Sequence, residues 1–232
     1  MQQAQTLQAR APVASLGADA RATFIWRTYG HVAAAVLGFG AIETYIFDSG
    51  LAAPLTRAML GTSWLLVLGA FMIVGWLATS VAHRVESKPL QYLALGGFVL
   101  AEAIIFVPLL QIAIAVEPSI IESAVGVTLL GTIGLTAVAF VTRKDFSFLR
   151  SILLWGGVLA LVAIVGSVLF GFQLGTWFSV AMIGFAGAAV LYNTSAILHH
   201  YPEDRYVAAA LQLFASIALM FWYVLRLFLS RN

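Results

Sequence analysis

The chain contains no cysteine, so disulfide bonds, zinc–thiolate sites and cysteine nucleophiles are all excluded. Charge is also scarce, because 9% of the 232 residues are charged, against about 25% in a typical soluble domain. The net charge of +2 is too small, and the basic residues are too scattered, to indicate a nucleic-acid partner. Hydrophobic residues make up 62% of the chain, and lipid is the solvent that suits this composition.

Lysine is rare as well, since only Lys88 and Lys144 are present, and both are expected in connections between helices. A retinal pigment needs a lysine inside the bundle for its Schiff base, so this class is disfavoured. No nucleophile and base stand at a recognisable spacing. We therefore do not expect an enzyme, and we expect no organic cofactor.

Seven long apolar runs predict an all-α membrane protein, because about 20 apolar residues cross a bilayer as a helix. Short connections with glycine, proline and serine separate the runs, and no linker divides the chain. The polar residues 1–27 are expected to form a mobile cytoplasmic tail, and residues 28–232 a single seven-helix domain. The predicted spans are 28–47, 57–82, 90–116, 119–142, 148–170, 176–198 and 205–228.

Lysine and arginine are divided unevenly between the two sides of these spans. The N-terminal tail and the connections after spans two, four and six carry nine of the twelve, and the other side carries three. Cytoplasmic loops are enriched in these residues, so the N-terminus is predicted to be cytoplasmic.

Two glutamates are predicted deep inside the membrane, Glu43 in span one and Glu102 in span three. A charged side chain there costs about 2.5–3.5 kcal/mol on insertion scales and is commonly functional. A rise of about 1.5 Å per residue places both near or just beyond mid-membrane, and both should face the bundle interior. If they face each other, they can bind a cation or relay a proton. The alternative is a structural role, in which they only fasten helices together.

Four histidines are predicted at the cytoplasmic ends of helices: His31, His83, His199 and His200. They lie on three separate spans and show no spacing typical of metal ligands. We expect polar anchors at the membrane surface, and the sequence leaves the presence of a metal site undetermined.

Three segments resemble motifs of the Bax inhibitor-1/YccA family of seven-helix membrane proteins. The first is VTRKDFSFL at residues 141–149, between spans four and five. The second is VLYNTS at residues 190–195, near the end of span six. The third is the last span, from YVAAAL at residues 206–211 to FWYVLR at residues 221–226. Each motif is weak alone, and the three in order are fairly specific.

The resemblance implies a fold in which the seventh helix lies at the centre of six others. It also implies a link to cation leak, chiefly of calcium, across membranes. Bacterial members of the YccA type are instead associated with modulation of a membrane-bound protease. These motifs favour a bacterial inner membrane as the location.

One departure from the family pattern concerns its pair of aspartates, on spans six and seven, which share a proton. The matching positions here are Asn193 and Ser216, which stay neutral at every accessible pH. They can hydrogen-bond to each other or to Arg84. The usual pH sensor of the family is therefore not expected, and Glu43 and Glu102 are candidates for the missing negative charge.

Two hypotheses follow. The leading one is a small cation leak pathway through Glu43, Glu102, Asn193, Ser216 and Arg84, with calcium or protons as the permeant ion. The alternative is a non-conducting protein that restrains a membrane protease or another membrane partner through its cytoplasmic tail and basic loops.

Overall fold

The computed structural model describes residues 11–231, and these form eight α-helices. Seven of the helices are long and apolar enough to cross a membrane, which confirms the predicted all-α fold class. The helices are α1 (Ala18–Asp48), α2 (Ala52–Leu60), α3 (Trp64–Arg84), α4 (Lys88–Val116), α5 (Ser119–Thr142), α6 (Leu149–Phe170), α7 (Thr176–His199) and α8 (Tyr206–Leu229). Short 3-10 turns, Val13–Ser15 and Glu203–Arg205, precede α1 and α8.

The first helix begins ten residues earlier than predicted. Residues 18–27 were expected in the tail, but they continue α1 without a break because no glycine or proline follows Gly17 until Gly30. The segment before α1 is also packed on the bundle, since Val13 is fully buried and its backbone N–H donates to the Tyr201 carbonyl at 2.9 Å. Residues 1–10 of the predicted tail lie outside the described residues.

The second predicted span, 57–82, is wrong at its start. Residues before 61 form a separate short helix, α2, which packs against α4, and the spanning helix α3 begins only at Trp64. The sequence Gly-Thr-Ser at 61–63 interrupts the run, with Ser63 in a non-helical conformation at the N-terminus of α3. Arg57 therefore lies on α2, and Lys88, expected in a connection, is the first residue of α4.

The last helix, α8, lies at the centre of the bundle, as predicted. It packs against α1, α3, α4, α5 and α7, and most of its residues are buried. Ala208, Ala209 and Ala210 are fully buried, because small side chains let neighbouring helices approach closely in lipid.

The helix α6 lies outside this arrangement and packs mainly against α7. None of its residues is buried, and large side chains such as Leu154 and Trp155 point outward. A side chain at Gly156 would approach the Phe185 ring to 2.9 Å, so this glycine permits close contact between α6 and α7. The outward apolar surface matches a lipid environment.

One end of the bundle, which we call the basic end, contains the start of α1 and the connections α3–α4, α5–α6 and α7–α8. Side chains form hydrogen bonds between two of these connections. Arg205 donates from Nη1 to the Val85 carbonyl at 2.7 Å, and Lys88 donates to the Asp204 carbonyl. The Lys88 ammonium also lies 4.3 Å from the Tyr206 ring centre, within the range of a cation–π contact.

The central position of α8 predicts that it cannot accept larger side chains. Ala209→Leu should destabilise the fold by about 1–3 kcal/mol, because overpacking a closely packed core forces neighbours apart. Ala137→Leu, on the exposed face of α5, should leave stability nearly unchanged. Thermal unfolding of the purified protein in detergent measures both. Equal losses in the two variants would contradict a central α8.

Candidate functional site

Asn193 of α7 and Ser216 of α8 meet in the interior of the bundle. The Asn193 side-chain amide donates to the Ser216 hydroxyl at 2.7 Å and to the Gln212 carbonyl at 3.2 Å. The amide of Gln212 in turn donates to the Thr79 hydroxyl of α3 at 3.2 Å. The two residues at the family's aspartate positions therefore form a neutral hydrogen-bonded pair that connects three helices. Sequence reasoning missed Gln212 and Thr79.

Arg84 does not join this pair. It is the last residue of α3 and is exposed at the basic end, and no hydrogen bond from its side chain is found within residues 11–231. Of the two partners considered for Asn193 and Ser216, each other and Arg84, the structure shows the first. Its guanidinium reaches water at the end of the helix, where a charge is not desolvated.

Glu43 of α1 lines a cavity between α1, α4, α5 and α8. The cavity has a volume of ≈ 320 Å³, and its walls are mainly apolar. Glu43 is 7% exposed, and neither of its carboxyl oxygens has a hydrogen-bond partner among the described residues. Burying a carboxyl group without a hydrogen-bond partner costs free energy. Glu43 is therefore a candidate functional residue.

Glu102 of α4 is equally buried, at 7% exposure, but it does not line the cavity that contains Glu43. It lies one helical turn from Phe98 and one from Phe106, so the three share one face of α4. Phe98 packs against Phe214 of α8, and Phe106 stacks on Phe221 at 5.4 Å. Glu102 is therefore on the α4 face that is turned toward the central helix.

No hydrogen bond joins the two glutamates, because neither oxygen of Glu43 has a partner among the described residues. Phe39 of α1 contacts Phe106 of α4 at 5.1 Å, and a side chain at Gly38 would touch Val99. These contacts place Glu43 and Glu102 within about two helical turns of each other along the bundle. Aromatic rings fill the space near this depth: Phe39, Phe106, Phe214 and Phe221. We call these four rings the phenylalanine cluster.

Hydroxyl groups that sequence reasoning missed line the inner face of α5. Thr128, Thr132 and Thr136 follow one another at four-residue intervals, which places them on one face of the helix. The hydroxyl oxygens of Thr128 and Thr132 are buried without hydrogen-bond partners among the described residues. At the basic end of this row the Tyr29 hydroxyl faces those of Thr136 and Thr194. The four-residue spacing is a signal that the sequence does contain.

The four histidines serve as polar contacts at the basic end. His31, His83 and His199 each donate from Nδ1 to the backbone carbonyl four residues earlier, at 2.6–2.9 Å. His200 pairs with Asp145 at 3.0 Å. Within residues 11–231 there is no group of three or more side chains that could hold a metal ion.

Two of the family-like motifs contact each other at the basic end. The Ser195 hydroxyl accepts a hydrogen bond from the Phe146 backbone N–H at 2.9 Å and donates to the Lys144 carbonyl. The hydrogen bond from His200 holds the pKa of the exposed Asp145 below its ordinary value. These contacts fix the α5–α6 connection against the end of α7.

The bond between Asn193 and Ser216 predicts measurable coupling between the two side chains. In a double-mutant cycle with Asn193→Ala and Ser216→Ala, the coupling energy should be about 0.6–1.7 kcal/mol, the range seen for hydrogen bonds between membrane helices. Reversible unfolding in mixed micelles supplies the free energies. A control cycle of Asn193→Ala with Ser179→Ala, a buried serine nearer the other end of α7, should be additive. Additivity in both cycles would contradict the contact.

Comparison with known proteins agrees with the motifs. A family model described as inhibitor of apoptosis-promoting Bax1 matches residues 21–232. Human Bax inhibitor 1 is 28% identical over 190 residues, which cover 78% of each chain. An uncharacterized protein of Pseudomonas aeruginosa is 38% identical over 113 residues, 47% of this chain and 50% of that protein.

An uncharacterized membrane protein of Vibrio cholerae is 30% identical over 106 residues, 45% of this chain and 47% of that protein. The chain thus spans about half the length of these two bacterial relatives. The family model covers nearly the whole chain, and the seven apolar helices are those of an integral membrane protein. The predicted resemblance is confirmed, and the chain belongs to the Bax inhibitor-1 family of membrane proteins.

Proposed function

We propose that this protein is a cation leak pathway, with calcium as the permeant ion, in a bacterial inner membrane. The observation that carries the proposal is the pair of buried carboxyl groups, Glu43 and Glu102, within about two turns of each other beside the central helix. Carboxylate oxygens are the ligands that calcium prefers in proteins. Acidic residues inside membrane helices commonly mark ion pathways.

The phenylalanine cluster is the gate of this pathway. The rings of Phe39, Phe106 and Phe221 lie 5.1–6.3 Å apart at the depth of the two carboxyl groups. A hydrated cation does not pass packed aromatic rings, and apolar constrictions close channels by excluding water. Conduction therefore requires these rings to separate, through movement of α1 or α4 against α8.

The neutral pair of Asn193 and Ser216 gives the pathway a polar element without charge. In the family pattern two aspartates at these positions respond to pH, and an amide and a hydroxyl do not titrate. Opening is therefore set by helix movement and by the glutamates, and the hydrogen bond between the pair holds α7 to α8 in both states.

The orientation follows from the basic end. Of the twelve lysines and arginines, the sequence predicts nine on the side that holds the N-terminus, and positive residues are retained in the cytoplasm. We therefore place the basic end in the cytoplasm and α2 on the opposite side. We propose no catalytic activity for this protein, and we expect it to bind a cation.

The proposal predicts calcium flux that depends on both glutamates. Proteoliposomes with an internal calcium indicator should take up calcium faster than empty liposomes. The variant Glu43→Gln, Glu102→Gln should lower the rate about tenfold or more, because it removes both charged ligands from the interior. Glu122→Gln, which changes an exposed carboxyl group at the start of α5, should leave the rate unchanged. Flux equal to empty liposomes, or flux unaffected by the double substitution, would remove the proposal.

The alternative is a non-conducting protein that restrains a membrane partner, such as a protease. It is favoured by the α5–α6 connection, which carries exposed Arg143 and Lys144. The backbone of this connection is held in place because the Ser195 hydroxyl accepts from the Phe146 N–H and donates to the Lys144 carbonyl, and because Asp145 pairs with His200. A basic surface that is fixed before binding loses little entropy when a partner binds.

Pull-down from mild detergent separates the two functions. If the alternative is correct, Arg143→Gln with Lys144→Gln, or removal of residues 1–10, should release a co-purifying membrane protein without changing calcium flux. Arg57→Gln, at the opposite end of the bundle, should release nothing. Removing residues 1–27 is unsuitable because it would cut into α1. Retention of the same partners by all variants would contradict the alternative.

A further inference from the structure

The cavity that contains Glu43 is open toward the lipid. Along this stretch α1 and α5 do not pack closely against each other in the described part of the chain, although both pack near α8. The residues at the gap are exposed on the bundle perimeter: Gly40, Thr44, Val125 and Leu129. A molecule dissolved in the membrane can therefore reach the cavity from the side, without passing through water.

Two unpartnered polar groups lie inside this apolar space. The Glu43 carboxyl group is more than nine-tenths buried, and both of its oxygens lack a hydrogen-bond partner among the described residues. The hydroxyl of Thr128, on the opposite wall, is buried and unpartnered as well. Thr44 does not share this condition, because its hydroxyl donates to the Gly40 carbonyl at 2.9 Å. The cavity thus presents two polar groups that need a partner, and the carboxylate form of Glu43 accepts only.

The remaining walls favour a cationic donor over a neutral one. The rings of Phe39, Phe214 and Phe221 line the cavity, and aromatic faces attract ammonium groups that lie close to them. No lysine, arginine or histidine is among its described lining residues, so the carboxyl group has no counter-ion of its own. An ammonium group bound to a carboxylate away from water forms a strong, charge-assisted hydrogen bond.

We propose that this cavity binds a lipophilic primary amine, which enters from the bilayer between α1 and α5. The ammonium group donates to the Glu43 carboxylate and to the Thr128 hydroxyl, and the apolar body lies against the phenylalanine rings. The volume of ≈ 320 Å³ is at the lower end for small-molecule pockets, which are about 300–1,000 Å³. An amine with one aromatic ring and a short alkyl chain is therefore the appropriate size. The site does not depend on ion conduction.

The probe is 4-phenylbutylamine, with 4-phenylbutan-1-ol as an uncharged molecule of the same shape. Binding to the full-length protein in phosphatidylcholine nanodiscs is measured by calorimetry near neutral pH, with empty nanodiscs subtracted. The amine should bind saturably at one site, and the alcohol should bind about tenfold or more weakly, because it lacks the charge. Equal affinity for the amine and the alcohol, or no saturable binding, would overturn the proposal.

Two kinds of variant locate the site. Glu43→Gln keeps the size of the side chain and removes its charge, so amine affinity should fall about tenfold or more. Gly40→Leu adds bulk at the gap, where a Cβ atom meets no other atom within 4 Å, and should also block binding. This change favours the helix intrinsically, so it tests the site even if Glu43→Gln folds poorly.

The controls match these changes away from the cavity. Glu102→Gln alters the other buried carboxyl group, and Gly30→Leu alters a second glycine of α1 with open space around it. Both should bind the amine within about twofold of the parent protein. Loss of binding in the controls, or full binding in Gly40→Leu, would overturn the proposed location. Calcium flux is measured separately, so a protein that binds the amine without conducting disproves only the leak pathway.

Discussion

A polar side chain on a helix that is enclosed by other helices in lipid has no water to bond with, and α8 is in this position. Gln212 and Ser216 lie one turn apart on α8, and their partners come from α3 and α7. This requirement fixes the rotation of α8. With the polar face turned to α3 and α7, the rings of Phe214 and Phe221 are turned toward α1 and α4. The neutral pair and the phenylalanine cluster are thus two results of the same constraint.

The same requirement applies to every polar side chain buried between the helices. Some hydroxyl groups inside the helices donate to the carbonyl one turn earlier, as those of Thr28 and Thr44 do. Other buried polar groups have no hydrogen-bond partner among the described residues, and these include Glu43 on α1, Thr128 and Thr132 on α5, and Thr56 and Gln111 between α2 and α4. A buried polar group without a partner is costly, so each of these positions calls for a physical explanation.

Hydropathy alone predicted the seven spans, because a run of about 20 apolar residues has few other stable structures. It failed at α2, where apolar residues continue across the end of one helix and the start of the next, and only Gly61 to Ser63 mark the break.

The depth of Glu43 and Glu102 follows from counting residues, but which cavity each one faces depends on packing between helices. The choice between Arg84 and a direct bond for Asn193 and Ser216 also depends on packing, since a long side chain at a helix end turns outward as easily as inward. The threonines of α5 were overlooked because a single threonine does not interrupt an apolar run, and only their four-residue spacing places them on one face.

The helix α6 packs less extensively against the rest of the molecule than the other spans do. Because it contributes no buried residue and contacts mainly α7, its position depends on the bilayer more than on the protein. Most of its side chains need only be apolar, so substitutions should accumulate there faster than in α8. A change in bilayer thickness would act first on this helix, tilting it while the inner helices keep their arrangement. The molecule therefore has a rigid interior and one side that adjusts to the membrane around it.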